Sequence, residues 1–203
     1  MQLFLVRHGE TEHNRSGLAL GRADVPLNEK GLWQAERLAV ALAGEPLAAV
    51  YSSPLSRTLR TAELVAGPHG LAVQVEAALV EMDVGEAEGL PLADLRSRYP
   101  GLLEAWVGPD GPQTPMPGGE CLADVQSRAW PAVQEIAARH ADDAAVCVVA
   151  HNFVILSVLC SALGLELAQF RRLRHNVAAI AELEMGRDGV RVQRLNDACH
   201  LAG

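Results

Sequence analysis

The sequence predicts an α/β fold in which a doubly wound, mostly parallel sheet is flanked by helices. Strand-like and helix-like segments alternate along most of the chain, which is typical of that class. Residues 144–150 (AAVCVVA) form an apolar, β-branched-rich run without polar alternation, as expected of a parallel strand buried on both faces. The 203 residues, of which 49% are hydrophobic, fit a single domain over 1–203 with a large core.

The first part of the chain supplies two strand–helix pairs. Residues 2–6 (QLFLV) predict the first strand, and residues 28–44 predict a helix because their apolar residues recur at helical spacing. Residues 48–53 (AAVYSS) predict a short second strand. The helix predicted over 54–67 has Pro54 in its first turn, where a missing N–H costs little.

The middle of the chain is less regular. Residues 71–82 predict a third strand and its exit, and the proline-rich stretch 85–117 predicts a small cap of short helices over a site. Residues 122–140 predict a helix. Within it, Pro131 is expected to produce a kink or mark a break, because proline removes a helical hydrogen bond.

The last part of the chain returns to the sheet. Residues 152–164, directly after the apolar strand, predict a buried helix. The tail around Gly186 and Gly189 predicts two antiparallel strands joined by a turn.

The composition of the chain disfavours several classes of binding partner. The net charge of −8 disfavours binding to nucleic acid or to an anionic membrane. No apolar run approaches the roughly 18 to 20 residues that a membrane-spanning helix needs, and we expect no secretory signal before the first strand. The four cysteines have neither disulfide-framework nor metal-ligand spacing, so we expect reduced thiols in a cytoplasmic protein.

Charged and imidazole side chains follow the predicted strands at their carboxyl ends. Arg7 and His8 follow the first strand, Arg57 lies one turn into the helix after the second, Glu81 follows the third, and His151 follows the apolar strand. In doubly wound sheets, ligands bind at this edge. We therefore expect these five side chains to converge in one pocket.

Two arginines, two histidines and a carboxylate suit a phosphomonoester. The ester is close to a dianion at neutral pH, and guanidinium groups bind its oxygens with two parallel hydrogen bonds. An imidazole can attack phosphorus as a covalent nucleophile, and a carboxylic acid can protonate the departing alkoxide and then activate water. The remaining cations stabilise charge on the transferring group. The set therefore predicts phosphoryl transfer.

Six motifs resemble those of the histidine phosphatase superfamily, which includes the cofactor-dependent phosphoglycerate mutases. They are LVRHGET followed by Asn14, PLNEKGLWQA, VYSSPLSRTLRTAE, EMDVGEAEGL, PGGECLADVQSR and VCVVAHNFVI. The resemblance covers nearly the whole chain, and six motifs in the right order make accidental similarity very improbable. It implies a phosphoglycerate mutase-like fold.

The resemblance implies a role for each candidate site residue. His8 would be the phosphorylated nucleophile, and Glu81 the proton donor and later the base. The phosphoryl oxygens would be bound by Arg7, Arg57 and His151. Asn14 would add a phosphate hydrogen bond, and the wider phosphate- or substrate-binding set contains Gly9, Thr11, Gly21 and Asn152. The resemblance implies no metal ion, and we expect no cofactor.

Departures from the mutase pattern favour a phosphatase. Leu20 stands where mutases tend to have a threonine, and the mutase insertion that grips phosphoglycerate has no counterpart near 100–117. We therefore predict a metal-independent phosphatase of small-molecule phosphomonoesters, with a phosphohistidine intermediate and broad specificity. A cofactor-dependent phosphoglycerate mutase and a non-catalytic phosphate-ester binding module are the alternatives.

Several features stay open at the level of sequence. Asp83 is a second candidate for the acid, although the family spacing favours Glu81. Residues 196–201 (NDACHL) either fold back toward the pocket or seal the sheet edge. The basic run 171–176 (RRLRHN) is either an anion-attracting rim or, as we prefer, a solvated helix end. The oligomeric state is also open, with a homodimer as the form common in the family.

Overall fold

The strands of the chain form one mixed sheet. A computed structural model describes residues 1–186 and 188–202. Its strands are β1 (Gln2–Arg7), β2 (Leu47–Ser52), β3 (Val73–Val75), β4 (Ala145–Ala150), β5 (Ile180–Gly186) and β6 (Gly189–Asp197). Their order across the sheet is β3-β2-β4-β1-β5-β6. The first four strands pair in parallel, whereas β5 is antiparallel to both β1 and β6, which confirms the predicted mostly parallel sheet.

Helices cover both faces of this sheet. The α-helices of the described residues are α1 (Glu12–Ser16), α2 (Glu29–Leu42), α3 (Ser56–Ala66), α4 (Leu92–Arg98), α5 (Leu102–Val107), α6 (Leu122–Ala138) and α7 (Asn152–Ala162). Side chains alternate between the faces of β1. Phe4 and Val6 pack in the cluster under α2 and α3, whereas Leu3 and Leu5 pack in the cluster under α6 and α7. The two clusters confirm the doubly wound fold.

The centre of the sheet sets where the loops meet. All six residues of β4 are buried, as its apolar sequence predicts, and β4 lies between β1 and β2. In the register, Arg7 lies opposite Ala150, and Ser52 lies opposite Val149. The segments that follow β1, β2 and β4 therefore leave the sheet at the same edge.

Two predictions that involve prolines differ from the structure. The helix predicted over 54–67 is α3, which begins at Ser56 with Leu55 as its N-cap, so Pro54 precedes the helix instead of occupying its first turn. The prediction of a break at Pro131 is wrong, because α6 continues through this residue. Pro131 is exposed, and so is Ser127, whose carbonyl loses its helical N–H partner at position 131.

The predicted cap over 85–117 is a set of short elements attached to the core. It contains α4, α5 and the 3₁₀ turns Gly85–Ala87 and Gly111–Gln113. Trp106 of α5 is its main anchor, with its ring 5.4 Å from that of Phe153 on α7 and 5.7 Å from that of Phe170. In the part of the chain that the structure describes, no helix combines the length and apolar character needed to cross a membrane.

Candidate active site

His8 lies directly after β1 and is 3% exposed. Its Nδ1 atom lies 2.7 Å from the carbonyl oxygen of Gly9. Because a carbonyl oxygen only accepts, Nδ1 carries the proton and the neutral ring leaves the lone pair on Nε2. Burial, followed by the charges of Arg7 and Arg57, holds the pKa of His8 well below its usual value. The ring is therefore a neutral imidazole with a nucleophilic Nε2 atom.

The turn after His8 depends on a close approach of two glycines. The N–H of Gly9 donates to Oγ1 of Thr61 on α3 at 3.3 Å. A Cβ atom at Gly9 would lie 2.3 Å from the carbonyl oxygen of Gly31 on α2. Only glycine lets the two backbones approach so closely. In this structure, Gly9 therefore allows the loop that carries His8 to pack against α2.

His151 follows β4 and is the N-cap residue of α7. It is fully buried, and its Nε2 atom lies 2.7 Å from Oγ of Ser53, which follows β2. The rings of His151 and His8 meet edge to face, with centroids 5.2 Å apart. Burial is the main cause that lowers the pKa of His151 well below its usual value, and the guanidinium charge of Arg57 adds to the shift. Both site histidines are therefore neutral.

Two arginines surround the histidine pair. Arg57 is fully buried and donates from Nη1 to the carbonyl of Ala23 and from Nη2 to that of Gly21, each at 2.7 Å. Arg7 donates from Nη1 to the carbonyl of His175 at 2.8 Å and to Oδ1 of Asn152 at 3.2 Å. The Nε atoms of both arginines are buried without a partner among the described residues.

The two arginines remain cationic at neutral pH in spite of their burial. Burial lowers the pKa of Arg7 to about 10, although the charge of Glu81 opposes the shift. Burial also lowers the pKa of Arg57. Two poorly hydrated guanidinium groups with unused N–H donors suit a phosphate dianion, which would replace the lost water.

Glu81 is the carboxyl group of the site and is 4% exposed. Its Oε1 atom accepts from the N–H of Met82 at 2.8 Å, and Oε2 accepts from the N–H of Phe153 at 3.2 Å. Burial raises the pKa of Glu81, although these two bonds and the charges of Arg7 and Arg57 oppose it. A raised pKa lets the group keep its proton to a higher pH than an ordinary glutamate, which suits a general acid.

Asp83, the second candidate for the acid, lies in a different environment. Its side chain is 36% exposed, and Oδ2 lies 3.6 Å from Nη1 of Arg22. Its Oδ1 atom accepts from the N–H of Gly85 at 2.9 Å. The buried carboxyl group of Glu81 is therefore the better candidate for the acid.

Asn14 and Thr11 form a capping box at the start of α1. The N–H of Thr11 and its hydroxyl donate to Oδ1 of Asn14 at 3.1 and 3.0 Å, and the N–H of Asn14 donates to Oγ1 of Thr11 at 3.2 Å. A phosphate contact by Asn14 has to come from its Nδ2 group, because Oδ1 serves the cap. The spacing Thr-x-x-Asn, close to the Ser/Thr-x-x-Glu/Gln box, could have shown this from sequence.

Gly21 and Asn152, the other two predicted binding residues, contact the arginines. The carbonyl of Gly21 accepts from Arg57, and a Cβ atom at Gly21 would lie 2.6 Å from the carbonyl oxygen of Met82. The side chain of Asn152 orients Arg7. The structure thus brings the five predicted catalytic residues together, with Gly21 and Asn152 beside the two guanidinium groups.

Comparison with known proteins assigns the family. A family model described as the histidine phosphatase superfamily (branch 1) matches residues 3–198. The chain belongs to the histidine phosphatase superfamily. Phosphoserine phosphatase 1 of Hydrogenobacter thermophilus is 34% identical to it over 99% of this chain and 94% of the relative.

Two further comparisons bear on activity and fold. The probable phosphoglycerate mutase GpmB of Proteus mirabilis is 30% identical over 91% of this chain and 85% of the relative. The solved structure of mycobacterial glucosyl-3-phosphoglycerate phosphatase in complex with VO3 has a TM-score of 0.88 at 30% identity and covers 96% of this chain and 98% of that one. The phosphatase relatives support a phosphomonoesterase, and the mutase alternative has less support.

Sequence reasoning missed the segment that holds the backbone of Arg7 and His8, the candidate catalytic dipeptide. The N–H of Ala178 donates to the carbonyls of Arg7 and His8 at 3.1 and 3.0 Å. Ala178 has a φ of 54°, in the left-handed region that non-glycine residues rarely adopt. His175 is 2% exposed and its carbonyl binds Arg7, so the preferred interpretation of 171–176 as a solvated helix end is wrong for this residue.

The C-terminal tail reaches the same segment. Nε2 of His200 donates to the carbonyl of Ala178 at 3.0 Å, and Oδ1 of Asn196 accepts from the N–H of Asn176 at 2.7 Å. Residues 196–201 therefore fold back behind Arg7 and His8. Their contacts support the backbone of the site.

Proposed function

We propose that this phosphomonoesterase transfers the phosphoryl group of a small ester to His8 and then to water. The observation that carries the proposal is the buried cluster in which a neutral His8 meets His151 edge to face and feels the charges of Arg7 and Arg57. Arg7, Arg57 and His151 would bind the phosphoryl oxygens and stabilise the charge that builds up on them.

In the first step, the lone pair on Nε2 of His8 attacks phosphorus as the bond to the ester oxygen breaks. The carboxyl group of Glu81 gives its proton to the departing alkoxide and becomes a carboxylate. In the second step, this carboxylate takes a proton from water as the water oxygen attacks phosphorus. The phosphorus–nitrogen bond breaks, inorganic phosphate leaves, and both residues return to their starting states.

The substrate that we propose is a small-molecule phosphomonoester. Relatives named for phosphoserine and for glucosyl-3-phosphoglycerate put both esters first in a substrate panel. A cavity of about 330 Å³ at the base of the cap, lined by Asn14, Leu18, Leu90 and Leu95 among others, offers apolar surface for part of a larger ester. A phosphoglycerate mutase is the second candidate because of the GpmB relative, and it would return the phosphoryl group to a phosphoglycerate.

The test is phosphate release from an aryl phosphate in excess chelator. We expect wild-type activity to survive chelation, and His8→Ala to fall below about one thousandth of it, as for other nucleophile deletions. His69→Ala, in a surface turn after α3, is the matched control and should keep full activity. Rapid quenching at alkaline pH, followed by mass spectrometry, should find the phosphoryl group on His8. No release from wild type, or full activity of His8→Ala, would contradict the proposal.

We also propose a cytoplasmic location and a homodimer, on the resemblance to the family alone. Sedimentation velocity across a range of concentrations tests the assembly, and a monomer at all of them would refute it. Fractionation of native cells tests the location, and recovery outside the cytoplasm would refute it.

A further inference from the structure

The segment that carries Glu81 has little regular structure to hold it. Residues Ala77–Leu79 form a single 3₁₀ turn, and residues 80–84 lie outside any helix or strand. A general acid must nevertheless stay within hydrogen-bond reach of the leaving oxygen. A displacement of 1 Å costs about 100-fold in rate, so something has to fix this backbone.

Arg128, on α6, makes the contacts that fix it. Nη1 donates to the carbonyls of Ala78 and Val80 at 2.7 and 2.6 Å, and Nη2 donates to the carbonyl of Glu81 at 3.2 Å. One guanidinium group thus binds three carbonyls within four consecutive residues. The acid is bound through its own main chain as well as through its neighbours.

Glu120 orients this guanidinium group. Nε and Nη2 of Arg128 donate to Oε1 and Oε2 of Glu120 at 3.2 and 3.0 Å, which is a bidentate pair. Oε2 also accepts from the N–H of Asp83 at 2.9 Å, and the N–H of Glu120 donates to the carbonyl of Asp83 at 2.8 Å. The Glu120–Arg128 pair therefore holds the chain on both sides of Glu81.

The donor count separates Arg128 from the arginines of the phosphate site. A guanidinium group has five N–H donors. In Arg128 the five are matched by three carbonyls and two carboxylate oxygens, whereas Arg7 and Arg57 each keep an Nε donor without a partner among the described residues. Arg128 thus has no donor left for substrate.

We infer that Arg128 is a positioning residue for the general acid Glu81. The inference rests on the proposed function, because it assigns a partner to the acid of that reaction. If Arg128 positions the acid, the effect of changing Arg128 should depend on the leaving group of the ester. A misplaced acid slows esters whose alkoxide must be protonated as it departs, and it spares esters whose leaving group departs readily as an anion.

The experiment compares kcat/KM for phenyl phosphate, which needs the acid, with that for 2,4-dinitrophenyl phosphate, which does not. Arg128→Lys keeps the charge but has three donors in place of five. We expect it to lose roughly 10- to 100-fold on phenyl phosphate, a part of the effect that general acids supply, and less than about threefold on the dinitrophenyl ester. Glu120→Gln, which removes the ionic partner that Arg128 shares with Arg22, should show the same selectivity to a smaller extent.

The control separates positioning from general loss of stability. Val133→Ala lies on the same helix, in the core, and is expected to lower the melting temperature without changing the ratio of the two kcat/KM values. An equal loss on both esters in the Arg128→Lys and Glu120→Gln proteins, or no loss on either, would overturn the inference. A wild-type protein that cleaves neither ester would overturn the proposed function instead.

Discussion

Because Gly9 and Gly31 lie in close contact, the methyl group added by Gly9→Ala is expected to lower both stability and activity. A Cβ atom at Gly9 would lie 2.3 Å from the carbonyl oxygen of Gly31, and a Cβ atom at Gly31 would lie 2.0 Å from that of Glu10. A backbone carbonyl in α2 cannot rotate away as a side chain can. In Gly9→Ala, the loop or the helix must therefore move by about 1 Å to reach van der Waals separation.

This displacement sets the expected magnitude. Overpacking costs about 1–3 kcal/mol, and backbone on both sides of the contact favours the upper end. For a chain of this size each kcal/mol lowers the melting temperature by roughly 2–4 °C, so we expect Gly9→Ala to lower it by roughly 6–12 °C. His8 is the preceding residue, so kcat/KM should fall about 100-fold, the effect of a 1 Å misplacement.

Thermal unfolding and aryl phosphate hydrolysis measure the two effects. Gly44→Ala is the matched control, because no atom outside its immediate neighbours lies within 4 Å of the added Cβ atom. It should raise the free energy of unfolding by about 0.4–1 kcal/mol and leave activity unchanged. If Gly9→Ala melts and reacts like wild type, the close approach of the two backbones is not required and the reasoning fails.

Three further predictions follow from the site. Burial raises the pKa of Glu81, and the proposed first step needs this group protonated. As pH rises, kcat/KM should therefore fall only above the pH range in which ordinary carboxylic acids ionise. A fall centred on the ordinary glutamate pKa would contradict this. The same raised pKa means that stability present at acidic pH is lost as pH rises and the group ionises. Glu81→Gln should therefore raise the free energy of unfolding at alkaline pH but not at acidic pH, as urea titrations would show. Ser53→Ala should cost roughly 1–3 kcal/mol because it leaves His151 unpaired, whereas exposed Ser97→Ala should change little; equal melting temperatures would refute this.

The convergence of the candidate catalytic residues was predictable from sequence for a simple reason. Parallel strands end at the same edge, and the register places Arg7 opposite Ala150 and Ser52 opposite Val149. Apolar runs and helical periodicity were sufficient to locate β1, β2 and β4. Once those strands are placed, the residues that follow them must lie close together.

The supporting contacts were not predictable in the same way. The carbonyl of His175 binds Arg7 from 168 residues further along the chain, and no periodic pattern marks a carbonyl that will bind a guanidinium group. The left-handed conformation of Ala178 runs against the preference of alanine, so only tertiary contacts can impose it. Arg128 lies within a recognised motif, but its partners at 78–81 are far away in sequence.

The anchoring of the acid has a consequence for how this enzyme can diversify. The backbone around Glu81 is bound by Arg128 of α6 and its carboxyl group by Phe153 of α7, so neither bond comes from residues 85–117. If Glu81 is the proton donor that we propose, mutations in the cap can alter which alcohol portion of an ester is accepted while Glu81 stays in place. The same site could therefore act on different substrates over evolutionary time, because the sequence of the cap can change while the residues around Glu81 are retained.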